Sequence, residues 1–90
     1  MQQTISILVK GKVQGVFFRR YTQEKAITLG VTGYVKNRPD GSVYIMASGN
    51  AAQLEALAVW CKKGPPKAVV TAVLITEEPY LAFSKFSIER

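Results

Sequence analysis

Hydrophobic and polar positions change period several times along the chain, and each change marks an element. From Thr4 to Lys10 they alternate, with Ile5, Ile7 and Val9 on one side and Thr4, Ser6 and Lys10 on the other, while Leu8 interrupts the polar side. This predicts a half-buried strand. Gly11 to Val16 reads as a loop punctuated by two glycines. From Phe18 the period becomes helical, with Phe18, Thr22, Ala26 and Leu29 on one stripe and Gly30 as a left-handed stop. Val31–Asn37 and Ser42–Ala47 are two further strands. Arg38-Pro39-Asp40-Gly41 joins them, a turn in which Pro presets φ and Gly accepts a positive one.

A second helix follows Asn50, an N-cap residue with Gln53 three positions on, as in a capping box. Its core stripe is Leu54, Leu57, Ala58 and Cys61, and Gly64-Pro65-Pro66 ends it. Lys62 and Lys63 favour the helix dipole at that end. Lys67–Thr76 is a β-branched run with apolar residues on both faces, a fourth strand whose parity the pattern leaves open. Pro79 breaks the chain before a short strand over Ser84–Arg90. The order βαββαβ plus a short C-terminal strand predicts a ferredoxin-like α/β sandwich of the α+β class. Its four-stranded antiparallel sheet carries two helices on one face. By parity Tyr34 and Tyr44 lie on the other face with Lys36, as a cross-strand aromatic pair.

The chain has 90 residues, which fits one domain spanning 1–90. It has no His, one Asp and five Glu. That excludes Ser-His and Cys-His dyads and argues against paired-carboxylate or two-metal hydrolysis. Neither a metal nor another cofactor is expected. The lone Cys61 is expected to be a buried core thiol. It permits no internal disulfide and implies no oxidising compartment, so the cytoplasm is expected. No apolar run approaches ~18 residues, so no membrane segment is expected. No exposed apolar strip is evident, and a monomer is expected.

The net charge of +6 points to an anionic partner, and it is uneven. Residues 1–45 hold seven Lys/Arg against two acids, and residues 46–90 five against four. The informative segment is Gly11-Lys12-Val13-Gln14-Gly15-Val16-Phe17-Phe18-Arg19-Arg20. Here a strand ends, a glycine loop turns and a helix begins. The first N–H groups of that helix lack intrahelical acceptors and the dipole adds positive potential. Gly15 allows backbone to approach a ligand, and an arginine in the first turn offers a planar fork for phosphate oxygens. The loop is not a Walker motif, for it lacks Gly-Lys-Ser/Thr.

Gly-Lys-Val-Gln-Gly-Val-x-Phe-Arg at 11–19 resembles the acylphosphatase signature. So does Gly33-Tyr34-Val35-Lys36-Asn37-x-x-Asp40-Gly41-x-Val43, and the likeness continues to Phe86-Ser87-Ile88. The resemblance implies a metal-independent hydrolase of small acyl phosphates. It implies that Arg19 binds phosphate, that Asn37 positions water, and that the main chain of Gln14, Gly15, Val16, Phe17 and Phe18 forms the cradle. Inorganic phosphate or sulfate would then occupy the same place. Phe17 stands where family members often carry a smaller residue. Arg20, one position past the motif arginine, is expected in solvent.

Such a reaction suits a chain without His. The leaving group is a carboxylate, which needs no proton, and a loose transition state asks little of a base. Two other readings compete with hydrolysis. One is an RNA-binding module, but Ser42–Ala47 carries only Tyr44 and lacks the RNP1 aromatic pattern, so no nucleic acid is expected. The other is an anion-binding regulator that keeps the cradle without turnover.

Overall fold

The computed structural model describes residues 1–90. The elements follow the order β1 (Gln3–Lys12), α1 (Phe18–Leu29), β2 (Thr32–Asn37), β3 (Val43–Gly49), α2 (Ala51–Lys63), β4 (Val69–Glu78) and β5 (Phe86–Glu89). They form one sheet ordered β4-β1-β3-β2-β5. The first four strands pair antiparallel, as the ferredoxin-like pattern requires. The fifth joins β2 in parallel, with Val35 opposite Ile88 and Lys36 opposite Glu89. α1 packs on β2 and β5, α2 on β1, β3 and β4, and the two helices on each other. Neither helix is long and apolar enough to cross a membrane.

The core lies between helices and sheet, where Ile7, Val9, Val35, Val43 and Ile45 meet Phe18, Ala26, Leu57 and Cys61. Both helical stripes therefore face inward as their periodicity requires. Trp60 packs on this core with its ring 5.6 Å from that of Phe18. The local start and stop signals hold too. Gly30 closes α1 at φ 81°, and the Asn50–Gln53 capping box has both of its hydrogen bonds, each 2.8 Å. Tyr34 and Tyr44 pair on the opposite face of the sheet at 6.4 Å.

Three expectations need correction. First, β1 continues through Gly11 to Lys12. Gly11 stays in the ladder at φ 124°, where a Cβ would stand 2.1 Å from the Val69 carbonyl oxygen. Second, Thr4 and Ser6 are buried rather than solvated. The segment between β4 and β5 crosses the helix-free face of the sheet, and Phe83 meets Tyr34 there at 6.0 Å. The Leu81 N–H donates to Thr4 Oγ1 (2.9 Å), and Ser48 Oγ donates to the Leu81 oxygen (2.7 Å). The 2.6 Å bond between the two hydroxyls then runs from Thr4 to Ser48. Ser6 Oγ donates to Glu78 Oε2 (2.8 Å), so each of these buried hydroxyls has a partner.

Third, β4 leaves Val69, Leu74 and Ile75 exposed, the last two on opposite faces of the strand. It is an edge strand, paired on one side only. Its parity resists reading because the register with β1 shifts at Lys10/Gly11. Val70 and Val73 consequently both pack on the core although three positions apart, which strict alternation forbids.

Candidate active site

The strand-to-helix loop begins where β1 leaves the sheet after Lys12. Val13 and Val16 are buried and anchor it, while Gly15 between them is exposed. Gly15 has φ 74° and nothing within 4 Å of where a Cβ would be, so its conformation rather than crowding requires glycine. Phe17, the residue that caps α1, is also left-handed at φ 64° and makes no side-chain cap. No acid sits in the first turn. The Tyr21 N–H is bonded to the Phe17 oxygen (3.1 Å), so the N–H groups of Phe18, Arg19 and Arg20 precede the helical ladder. A ring of free main-chain donors at the positive end of a helix results.

A cleft of about 350 Å³ opens over these donors. Gln14, Gly15, Phe17, Phe18, Arg19 and Asn37 all line it. Arg19 is half-buried, and its Nη1 donates to the Glu89 oxygen on β5 at 3.3 Å. One tether to a strand leaves most of the five guanidinium donors free to face the cleft. Asn37, the last residue of β2, is half-buried and lines the same cleft. Val16 is the exception among the sequence-derived residues. It does not line the cleft, and its side chain belongs to the core. Phe18 likewise sends its ring into the core.

The side chain of Gln14 has a use of its own beside the main-chain place expected for it. Its Nε2 donates to the Arg38 oxygen (2.8 Å) and the Ser42 oxygen (2.9 Å). Both amide protons are spent on the turn that follows Asn37. That turn is stiffened from within: Asp40 Oδ1 accepts from the Ser42 N–H (2.9 Å) and Ser42 Oγ (2.6 Å). The two Ser42 bonds hold the Asp40 carboxyl below its ordinary value.

Three cleft residues escape the sequence pattern. Arg20 reaches the rim although exposed and paired with Glu24 at 3.4 Å. Ile88 and Arg90 come from the C-terminal strand. Parallel pairing of β5 with β2 brings Arg90, just past the Lys36–Glu89 pair, to the Asn37 end. Ile88 lies in the closing Phe86-Ser87-Ile88 likeness, which gives it no place in the cleft, and no local signal marks Arg90; the β2–β5 pairing places both. A second depression adjoins the cleft through Asn37 and Arg90. It holds Lys36 and Arg38, both near the Tyr44 ring (5.8 and 5.5 Å). No three Cys, Asp or Glu side chains converge to hold a metal ion.

Fold and cleft together define a class: a ferredoxin-like α+β protein whose first helix opens on a cleft with an arginine and free amides. Residues 5–88 match the family model Acylphosphatase. The chain is 55% identical over 84 residues to the acylphosphatase of Shewanella amazonensis, covering 89% of this chain and 92% of that one. Against the acylphosphatase of Methylococcus capsulatus identity is 42% over 87 residues, with 96% and 95% covered. The crystal structure of acylphosphatase from Bacillus subtilis superposes with a TM-score of 0.94 at 38% identity, each chain fully covered. The chain belongs to the acylphosphatase family, and its activity is hydrolysis of acyl phosphates.

Proposed function

We propose that Arg19 and the main-chain N–H groups of the 14–19 loop hold the phosphoryl group of a small acyl phosphate while Asn37 orients the attacking water. The observation that carries this reading is the sharing of one cleft by Arg19, Asn37 and the uncapped start of α1. The bond from the water oxygen to phosphorus forms as the bond from phosphorus to the acyl oxygen breaks. The electron pair of that bond leaves with the carboxylate. The water's proton passes to a phosphoryl oxygen, so the products are a carboxylate and orthophosphate. In a loose transition state charge spreads over the three equatorial oxygens, where a guanidinium fork and fixed amides act best. The Asn37 carbonyl accepts from the water and aims it in line. No step calls on a metal, and inorganic phosphate or sulfate fits the same cradle.

The test is phosphate release from benzoyl phosphate in the presence of EDTA, with folding checked by circular dichroism. Arg19→Ala and Asn37→Ala are each expected to lose roughly a thousandfold or more in rate. Phosphate inhibition weakens mainly in Arg19→Ala. No turnover by the wild type refutes the metal-free reading, and undiminished turnover in folded Arg19→Ala refutes the site.

The cytoplasm is the proposed compartment, supported by a single buried thiol and no disulfide. A monomer is the proposed state, since the core is complete within one chain. Light scattering on the purified protein is expected to return 9.9 kDa, and twice that mass refutes the monomer.

A further inference from the structure

Phe17 is the only non-glycine residue with positive φ, and an L side chain there is strained. Glycine would take the same conformation freely. Packing does not compensate the strain: the side chain is 67% exposed and joins none of the aromatic pairs. It does line the cleft. Of the cleft's apolar residues, Val13 and Phe18 are buried, whereas Phe17 and, at 36%, Ile88 offer exposed surface.

In-line displacement restricts where the acyl group can lie. The leaving oxygen departs from the side of phosphorus away from the water, hence away from Asn37. The cationic depression of Lys36, Arg38 and Tyr44 adjoins through Asn37 and contains no loop residue. It is on the attacking side and does not serve the acyl group. The loop side offers Phe17.

We propose that the Phe17 ring is the wall against which the acyl group rests, making Phe17 a specificity determinant for acyl phosphates with an aromatic or bulky apolar acyl group. This rests on the phosphate site proposed above. Face or edge contact with an aromatic acyl group is available to an uncommitted ring, and a two-carbon acyl group forfeits most of it.

The experiment compares kcat/KM for benzoyl and acetyl phosphate in the wild type, Phe17→Gly and Phe17→Asn. Both replacements accept a left-handed backbone, so the loop need not rearrange, and circular dichroism checks folding. The benzoyl-to-acetyl ratio is expected to fall roughly fivefold in each variant. A ratio within about twofold of wild type in the folded variants overturns the inference, even where both rates fall together, because a parallel fall assigns Phe17 to loop shape alone. Failure of the phosphate site itself reads differently: folded Arg19→Ala would then keep full turnover of both substrates.

Discussion

Gln14 donates its side-chain amide to the main-chain oxygen of Arg38 at 2.8 Å, joining the loop that starts α1 to the turn that follows Asn37. A second bond, to the Ser42 oxygen, makes the link two-pronged. The two walls of the cleft are thereby held at one separation. Gln14→Ala is expected to lower kcat by roughly 10 to 100-fold through misplacement of Asn37 relative to the loop. Loss of the two bonds is expected to lower stability by about 2 kcal/mol. Steady-state kinetics with urea denaturation measure both, and an unchanged kcat refutes the link.

Phe17→Gly is expected to stabilise the protein. It relieves a left-handed aromatic residue and gives up little burial, so unfolding free energy rises by about 1 kcal/mol. Urea midpoints read it, and a lower midpoint contradicts the strain argument.

Two glycines with positive φ differ in what surrounds them. Gly11→Ala drives a methyl group onto the Val69 oxygen in the β1–β4 ladder, and a loss of about 3 kcal/mol or more is expected. Gly15→Ala meets open space, so only the left-handed penalty of about 1 kcal/mol applies. Equal losses in urea melts would show that crowding at Gly11 is relieved by movement of the strands.

Burial pushes the Cys61 thiol up to about 12 from its ordinary 9.0. The native thiol therefore stays protonated and unreactive at pH 8. A disulfide reagent is expected to label it only after denaturation, and rapid native labelling would contradict its burial. Because the folded value is raised, this group's contribution to stability is full below pH 9. It declines as pH rises from there through the folded value. Cys61→Ala is expected to reduce the slope of stability against pH above 9.

Local chemistry was legible in the residues themselves. Gly30 as a left-handed stop, the Asn50–Gln53 box and the stripes of α1 and α2 follow from steric limits and helical period, which operate within a few residues. The loop glycine beside an arginine in the first turn of a helix was legible as well, and the motif resemblance pointed to the rest of the candidate site.

Tertiary structure decided what depends on distant segments. Thr4 and Ser6 are polar in an alternating strand, yet both are buried: Thr4 bonds Leu81 of the segment that crosses that face of the sheet, and Ser6 bonds Glu78 of β4. The parity of β4 is broken by a bulge against β1, and its apolar edge has no neighbour. Ile88 and Arg90 enter the cleft because β5 lies parallel to β2, and Gln14 finds its acceptors on a turn more than twenty residues away. These outcomes depend on chain path and strand register, which many nonlocal contacts select jointly, whereas periodicity records only which side of an element is apolar.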